Sequence, residues 1–426
     1  MEASEENPGE ELALGESEEV AVPRSFGALL RERRQQAGLT LHRLAALSGL
    51  SRGTLRNTEE GKTAPTPITV QRLTAVKALR LEPTELYGLP TGEGETQREP
   101  DTWFAPQYNP MQCFREMVSV INGPGGEIDQ TYLYLDPKGA HDWYALCNGE
   151  RFTAAFRDSL PLDKMAERIL RETRGAGLDV DGLGCGDGKT ETRLVQQLAT
   201  QMRYPADVRL YLLDISHTLL STAYRWASDT LSASGVGVFA VHGNFHDIAR
   251  LPVMYYRPAG VRRVRIYSML GYTLSNLLDE LRFFRDLTEC ASPGDLVLID
   301  FRLIYAPIDQ PEEIQRLDPT LQGQTSLLYE EWLKGPILRH GQGVKRVTLQ
   351  PTLSLLSRIP GSYEVEGRAD VLMQDGTSKR FVLTRGKRYD PHKLGECLRT
   401  MGWQPVQTWR HGPEKLAGVM LLRRSG

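Results

Sequence analysis

The chain has 426 residues, 40% of them hydrophobic and 25% charged, with a net charge of −3. That supplies apolar material for at least one large core in two or three domains, and it excludes a polybasic binder along the whole length. The five cysteines form no Cys-x-x-Cys pair, which speaks against a disulfide framework or a metal site and fits a reducing compartment. No run of about 18 apolar residues exists and the N-terminus is acidic, so neither a membrane span nor a targeting peptide is expected, and a cytoplasmic place fits.

In chain order, residues 1–22 hold eight glutamates and no basic residue, and 1–24 reads as a disordered acidic tail. Charge then reverses: residues 25–90 carry ten Lys/Arg against five Glu, a balance of +5. This segment is punctuated as helices. Phe26, Leu29 and Leu30 mark one apolar face over 25–37, and Gly38 ends it. Thr40 is a natural N-cap for 41–48, Gly49 gives a tight turn, and Ser51 caps a helix running toward Gly61. Pro65 and Pro67 lead into a fourth, over 68–79.

Residues 30–62, L-R-E-R-R-Q-Q-A-G-L-T-L-H-R-L-A-A-L-S-G-L-S-R-G-T-L-R-N-T-E-E-G-K, resemble the XRE/Cro-type helix-turn-helix DNA-binding domains. The resemblance implies a recognition helix with Ser51, Arg52, Thr54 and Asn57 near base edges, and Arg33, Arg34, His42 and Lys62 near phosphates. Two positions depart from that family: His42 stands where Gln is usual, and Glu60 where a basic residue commonly follows the family's Glu, here Glu59. Double-stranded DNA is therefore one expected partner, favoured by the local positive charge through counterion release. A docking or homodimerisation module is the other reading.

Residues 91–102 read as a Gly/Pro/Glu-rich linker, 103–343 as a large α/β domain and 344–426 as a smaller α+β lobe. Strand-like runs occur at 208–213, 261–268 and 295–299, with helical patterns at 190–202, 219–232 and 277–291. That alternation predicts a mostly parallel sheet with helices on both faces. In 344–424 several strand-like runs surround one helical run, 391–401.

The richest glycine loop is Leu183-Gly184-Cys185-Gly186-Asp187-Gly188-Lys189-Thr190. A P-loop ending is present in Gly188-Lys189-Thr190, but its required first glycine falls on Leu183. A nicotinamide fingerprint fails because Lys189 stands where its third glycine belongs. A loop for S-adenosylmethionine (SAM) needs close glycines and then an acidic residue at the end of the next strand, to hold the ribose hydroxyls. Asp214 lies there, 26 residues after Gly188, and is equally placed as a helix N-cap. Asn244 and Phe245 follow the third strand, where an adenine edge would be gripped; a polar turn is the alternative for Asn244.

Several segments together resemble the histidine-specific SAM-dependent methyltransferases of the ergothioneine pathway: L-G-C-G-D-G-K-T-E-T-R-L-V-Q-Q-L, Y-L-L-D-I-S-H-T-L-L, H-G-N-F, M-L-G-Y-T-L-S-N-L-L-D-E and S-P-G-D-L-V-L-I-D. The resemblance implies a class I Rossmann-like α/β fold, and SAM as cofactor at Gly184, Gly186, Gly188, Lys189, Thr190, Asp214, Ser216, Asn244 and Phe245. It also implies an acceptor site with Asn276, Tyr272 and Thr384, although Asn276 could instead cap a helix. Thr384 and Gly386 fall where that family places Glu and Ser against an imidazole, so histidine is a doubtful acceptor; Arg385, Lys387, Arg388 and Tyr389 would favour an anionic ligand or form a solvated turn. The acid that usually stands two residues before the first glycine is Gly182 here, with Asp187 as a candidate replacement. Tyr132, Tyr134, His141, Tyr144, Tyr272 and Tyr305 are aromatic or basic candidates near the mouth, and no catalytic base is singled out. Met269-Leu270-Gly271-Tyr272 lacks the D/N-P-P-Y/F/W stretch of base aminomethylases, and no Pro precedes a cysteine, so a DNA base is not the expected acceptor. Two functions remain: a methyltransferase acting on an amino-acid-like small molecule or peptide, or a transcription regulator whose methyltransferase-like domain senses a metabolite.

Overall fold

A computed structural model describes residues 26–426 except 61, 63–68, 70–71, 74–75, 82–101, 105–109, 256–262 and 324–325. The expected acidic tail and almost all of the expected linker lie outside the described residues. The chain divides into two compact units, 1–65 with 69–86, and 66–68 with 87–426.

In the first unit α1 (Phe26–Gln36), α2 (Leu41–Ser48) and α3 (Arg52–Glu59) follow the expected punctuation. The Thr40 hydroxyl accepts from the Arg43 amide at 3.1 Å, and the Ser51 hydroxyl from the Thr54 amide at 3.0 Å. Gly49 adopts the left-handed conformation, φ 68°, between α2 and α3. Leu30, Leu44, Leu55, Leu73 and Leu79 are buried together. Of the expected fourth helix, Thr69, Arg72 and Leu73 are helical, and Lys77–Leu79 form a 3-10 turn.

The second unit begins with β1 (Thr102–Phe104), α4 (Pro110–Asn122), β2 (Gly126–Glu127), α5 (Pro137–Cys147) and α6 (Leu162–Thr173). The alternating segment comprises β3 (Gly177–Leu183), α7 (Lys189–Gln201), β4 (Val208–Asp214), α8 (His217–Leu231), β5 (Gly237–His242), β6 (Arg263–Met269), α9 (Glu280–Cys290) and β7 (Leu296–Leu303). Then come α10 (Pro311–Leu317), α11 (Leu327–His340), β8 (Val344–Ser354), β9 (Ser362–Met373), β10 (Ser378–Tyr389), α12 (Pro391–Thr400), β11 (Trp403–His411) and β12 (Ala417–Arg424).

The strand order is β1-β5-β4-β3-β6-β7, all parallel. β12 runs antiparallel along β7, and β11 lies outside β12. The order reverses between β3 and its two neighbours, β4 and β6, which opens a crevice at the C-terminal strand ends. β3 carries Asp179 and Asp181 in a fully buried strand; Arg263 Nε pairs with Asp179 at 2.8 Å and Arg265 Nη1 with Asp181 at 2.9 Å. Those arginines come from β6, the adjacent strand, so the charges are neutralised inside the sheet.

Two expectations need correction. Residues 344–426 do not form one lobe. β8, β9 and β10 make an antiparallel extension that touches the tip of β7, whereas β11 and β12 complete the central sheet. Val419, Met420, Leu421 and Leu422 are buried, so β12 has its apolar side chains on both faces covered. The helix expected over 277–291 starts at Glu280, because the Asp279 carboxylate accepts from the Arg282 amide at 3.0 Å and Thr273–Asn276 form a separate 3-10 turn. Asn276 is therefore not the cap of that helix.

Candidate active site

The loop after β3 turns on three glycines with φ of 66°, 57° and 67° at Gly184, Gly186 and Gly188, a region that side-chain-bearing residues enter at a cost. The amides of Gly184 and Cys185 donate to the Leu213 carbonyl at 2.8 and 3.1 Å, which lashes the loop to the end of β4. Asp214, the last residue of β4, accepts from the Gly186 amide at 2.8 Å and from the Ser216 amide at 2.8 Å, one on each carboxylate oxygen. Burial pushes its carboxyl up to about 6, against those backbone donors.

These groups line a cavity of about 810 Å³, open to solvent, formed also by Thr190, Glu191, Phe245, His246, Thr273 and Asn276. A second cavity, of about 730 Å³, shares Gln130, Trp143, Phe152, Gly271 and Asn276 with it. Two adjoining chambers that share a wall are the arrangement a cofactor and an acceptor require.

Of the expected cofactor residues, the structure brings Gly184, Gly186, Thr190, Asp214 and Phe245 to the first cavity. Gly188 starts α7, and Lys189 turns outward, its Nζ over the rings of Tyr144 and Trp226 at 5.6 and 5.0 Å. Ser216 caps α8 with its hydroxyl. Asn244 is not on the cavity wall. Its Oδ1 accepts from the His246 amide at 3.0 Å, the polar-turn alternative, and His246 lines the chamber instead. Asp187 does not stand in for the missing acid at 182, because Arg157 Nη2 binds both of its oxygens at 2.9 and 2.8 Å. Arg157 ends a π-helical turn, Thr153–Arg157, a distortion that recurs at functional sites.

On the acceptor side, Asn276 faces both cavities, and its Oδ1 accepts from Gln130 at 2.8 Å. Tyr272 has φ 61°, an unfavourable conformation for a bulky side chain. Asp300 holds it there by accepting the Gly271 and Tyr272 amides at 2.9 and 2.8 Å. The Tyr272 ring packs on Phe156, with centroids 4.8 Å apart, and under the Arg302 guanidinium at 4.8 Å. Thr384, Gly386 and Tyr329 complete the second wall.

The basic residues after Thr384, for which a solvated turn was one expectation, lie in β10 and are mostly engaged elsewhere. Arg385 pairs with Glu127, Glu364 and Glu366, and Lys387 and Tyr389 both bind the buried Glu280 at 2.9 Å. Arg388 alone of those basic residues lines the second cavity; its Nε is 3.2 Å from Asp318. Arg302 joins it from the register position directly across, on β7. Arginines 302 and 388 are the charged residues of its lining, which includes no carboxylate; the buried Asp318 pairs with Arg388 from outside the cavity wall. Sequence reasoning did not single out Arg302, although it is the second residue after Asp300 at the end of a clear strand. Gln130 and Trp143 carry no sequence signal of their own. Of the mouth candidates, Tyr134 reaches the first cavity, Tyr144 packs against Lys189, and His141 is exposed.

In the first unit His42, Arg52 and Arg56 are exposed, Thr54 and Asn57 half-buried. Ser51 is occupied as a cap and also bonds the Thr54 hydroxyl at 2.9 Å. Arg34, expected near phosphate, instead clamps Glu59 at 2.6 and 2.8 Å and the Leu39 carbonyl at 2.9 Å. Lys62 pairs with Glu60 at 2.6 Å, which mutes the unexpected anion.

Two family models match the chain. Residues 25–86 match the family described as "Helix-turn-helix domain", and residues 115–307 the family described as "Histidine-specific methyltransferase, SAM-dependent". No curated protein matches. Among solved structures, the chain is similar to magnesium protoporphyrin IX methyltransferase from Synechocystis, with 12% identity, a TM-score of 0.38, and 70% of this chain and 100% of that one covered. It is also similar to a S-adenosylmethionine-dependent methyltransferase from Clostridium acetobutylicum, with 13% identity, a TM-score of 0.34 and coverage of 68% and 98%. A third is a sugar N-methyltransferase from Streptoalloteichus, with 15% identity, a TM-score of 0.34 and coverage of 67% and 93%.

Proposed function

From a chain that joins a helix-turn-helix domain to a SAM-dependent methyltransferase domain of class I Rossmann-like fold, we propose an enzyme that methylates an amino-acid-like small molecule or peptide bearing a free carboxylate, with a DNA-binding domain in the same chain. The observation that carries it is the second cavity, which adjoins the glycine-loop cavity and is lined by Arg302 and by Arg388, the latter paired with Asp318 from behind, with no carboxylate in the lining itself. A planar guanidinium matches a carboxylate in two-point geometry. The same absence of a carboxylate disfavours an imidazole-bearing acceptor.

The first cavity fits SAM. It holds two buried polar atoms without hydrogen-bond partners among the described residues, Glu191 Oε1 and His246 Nε2, beside the Asp214 carboxylate. Asp214 lines that wall as the acid for the ribose hydroxyls, and Phe245 lies over Gly184. When bound, the cofactor supplies an electrophilic methyl on a sulfonium.

The chain's own part is alignment and exclusion of water. Burial pushes the Tyr272 hydroxyl up to about 12 and raises that of Tyr329, so both stay protonated near neutrality and donate rather than accept a proton. Burial lowers His246, which keeps that imidazole neutral. No charged base lines the acceptor cavity, so the acceptor atom arrives with its own lone pair and Asn276, Gln130 and the arginines orient it.

The test is formation of S-adenosylhomocysteine with amino acids and short peptides, each against its carboxamide. Free carboxylates should turn over, carboxamides should not, and Arg302→Gln should raise KM at least about tenfold. If no acceptor turns over while DNA affinity responds to SAM, the metabolite-sensing regulator replaces the enzyme.

A further inference from the structure

Glu191 lies in the first turn of α7, is 1% exposed, and borders the first cavity. Its Oε1 has no hydrogen-bond partner among the described residues. A buried carboxylate with an unmet oxygen is costly, and the neighbouring acids do not share that condition. Asp187 is held by Arg157, Asp214 by two backbone amides and Asp300 by two more. Burial, reinforced by the nearby Asp187 and Asp300, pushes the Glu191 carboxyl up to about 8.

A second, independent observation concerns Gly182, at the point in β3 where an acid would ordinarily precede the glycine loop. A Cβ added to Gly182 would meet Glu191 Cγ at 2.8 Å and Glu191 Cβ at 3.6 Å. The Glu191 side chain thus fills the space that any side chain at 182 would enter. An acid lost from the strand has a counterpart on the helix behind it, reaching the same wall.

We propose that Glu191 is the carboxylate that receives the α-ammonium of the SAM amino-acid end, from α7 instead of from β3. The inference rests on SAM occupying the first cavity. Gly182 is then a requirement, since the two positions cannot both bear a long side chain.

Calorimetry on the full chain tests this with S-adenosylhomocysteine and with methylthioadenosine, which keeps the nucleoside and lacks the amino-acid end. Glu191→Gln, nearly isosteric, should weaken S-adenosylhomocysteine at least about tenfold, as expected for a charge-assisted hydrogen bond, and leave methylthioadenosine within about twofold. Equal loss of both ligands, or loss of neither, overturns the assignment. If wild-type protein binds neither, the cofactor site itself is misplaced and the assignment falls with it. A reciprocal swap gives a gain-of-binding readout. Glu191→Ala should bind S-adenosylhomocysteine weakly, and adding Gly182→Glu, which then has room, should recover most of the affinity. A double variant no better than Glu191→Ala also overturns it.

Discussion

Arg157→Met separates the fastening of the glycine loop from its chemistry. Arg157 and Asp187 are 7% and 5% exposed at their side chains, and one guanidinium nitrogen serves both carboxylate oxygens. Removing one partner of such a buried pair costs about 3–5 kcal/mol, because the other charge is left behind. Asp187 would keep the Asn148 amide at 3.1 Å and the Lys189 backbone amide at 3.2 Å, which places the cost near the lower end, about 3 kcal/mol. Met preserves much of the buried stem, so little of this is cavity. Adding Asp187→Asn should return the loss to about 1 kcal/mol, so the second substitution recovers about 2 kcal/mol of the cost of the first, a non-additivity that marks the two as coupled. All six tryptophans lie at or beyond residue 103, so urea unfolding followed by tryptophan fluorescence reads the methyltransferase domain and not the helix-turn-helix. With m near 3 kcal/mol/M for a domain of this size, the midpoint should fall by about 1 M. A single-variant loss under about 1 kcal/mol, or no coupling, would refute the picture of Arg157 as the tie between the π-helical turn and the loop.

Glu191 is raised to about 8 in the folded chain, so near pH 7 roughly 0.9 of the carboxyls hold a proton that a bound cation displaces. Binding of S-adenosylhomocysteine should therefore release about 0.9 proton there, seen as a dependence of calorimetric heat on buffer ionisation enthalpy, and affinity should rise from pH 6 to 8. Glu191→Gln should abolish both; Asp214, at about 6, is already mostly ionised. The sign is that of a raised acid: without ligand, Glu191 favours the fold at low pH and loses that contribution as pH rises through about 8. For the first domain, Arg52→Glu should weaken duplex DNA binding and flatten its salt dependence by more than one phosphate contact, measured by fluorescence anisotropy across salt. Arg34→Gln should instead lower that domain's thermal stability, because, among the described residues, it leaves the buried Glu59 with only the longer contact to Arg31, at 3.7 Å; unchanged DNA affinity in Arg52→Glu would remove α3 as the contacting helix.

The parts legible in the sequence are those whose signals are local. Thr40 and Ser51 cap the helices they precede, and the strand ending at Asp214 follows the glycine loop at the expected interval, because caps and βαβ spacing are set by a few consecutive residues. β3 was harder to see, since Asp179 and Asp181 break its apolar run; their partners Arg263 and Arg265 lie 84 residues on. Arg34 was misplaced because a basic residue on a helix surface looks free until the Glu59 carboxylate, 25 residues away, is folded against it. β12 was assigned to a separate lobe because its return to β7 is a long-range pairing with no sequence signature.

The acceptor site shows the same division more sharply. Thr384 and Asn276 could be placed from motif position, but the charge that faces the cavity depends on register. β7 and β10 touch only at residues 302–303 and 388–389, and that two-residue parallel contact sets Arg302 opposite Arg388. Their neighbours Arg385 and Lys387 point to carboxylates on β2, β9 and α9 and are spent there. A one-residue slip would reverse which side chains face the cavity, exchanging Arg388 for Lys387 or Tyr389. Composition alone counts four basic residues on two neighbouring strands; only the pairing decides that two of them line the cavity, which is what the proposal of an anionic acceptor rests on.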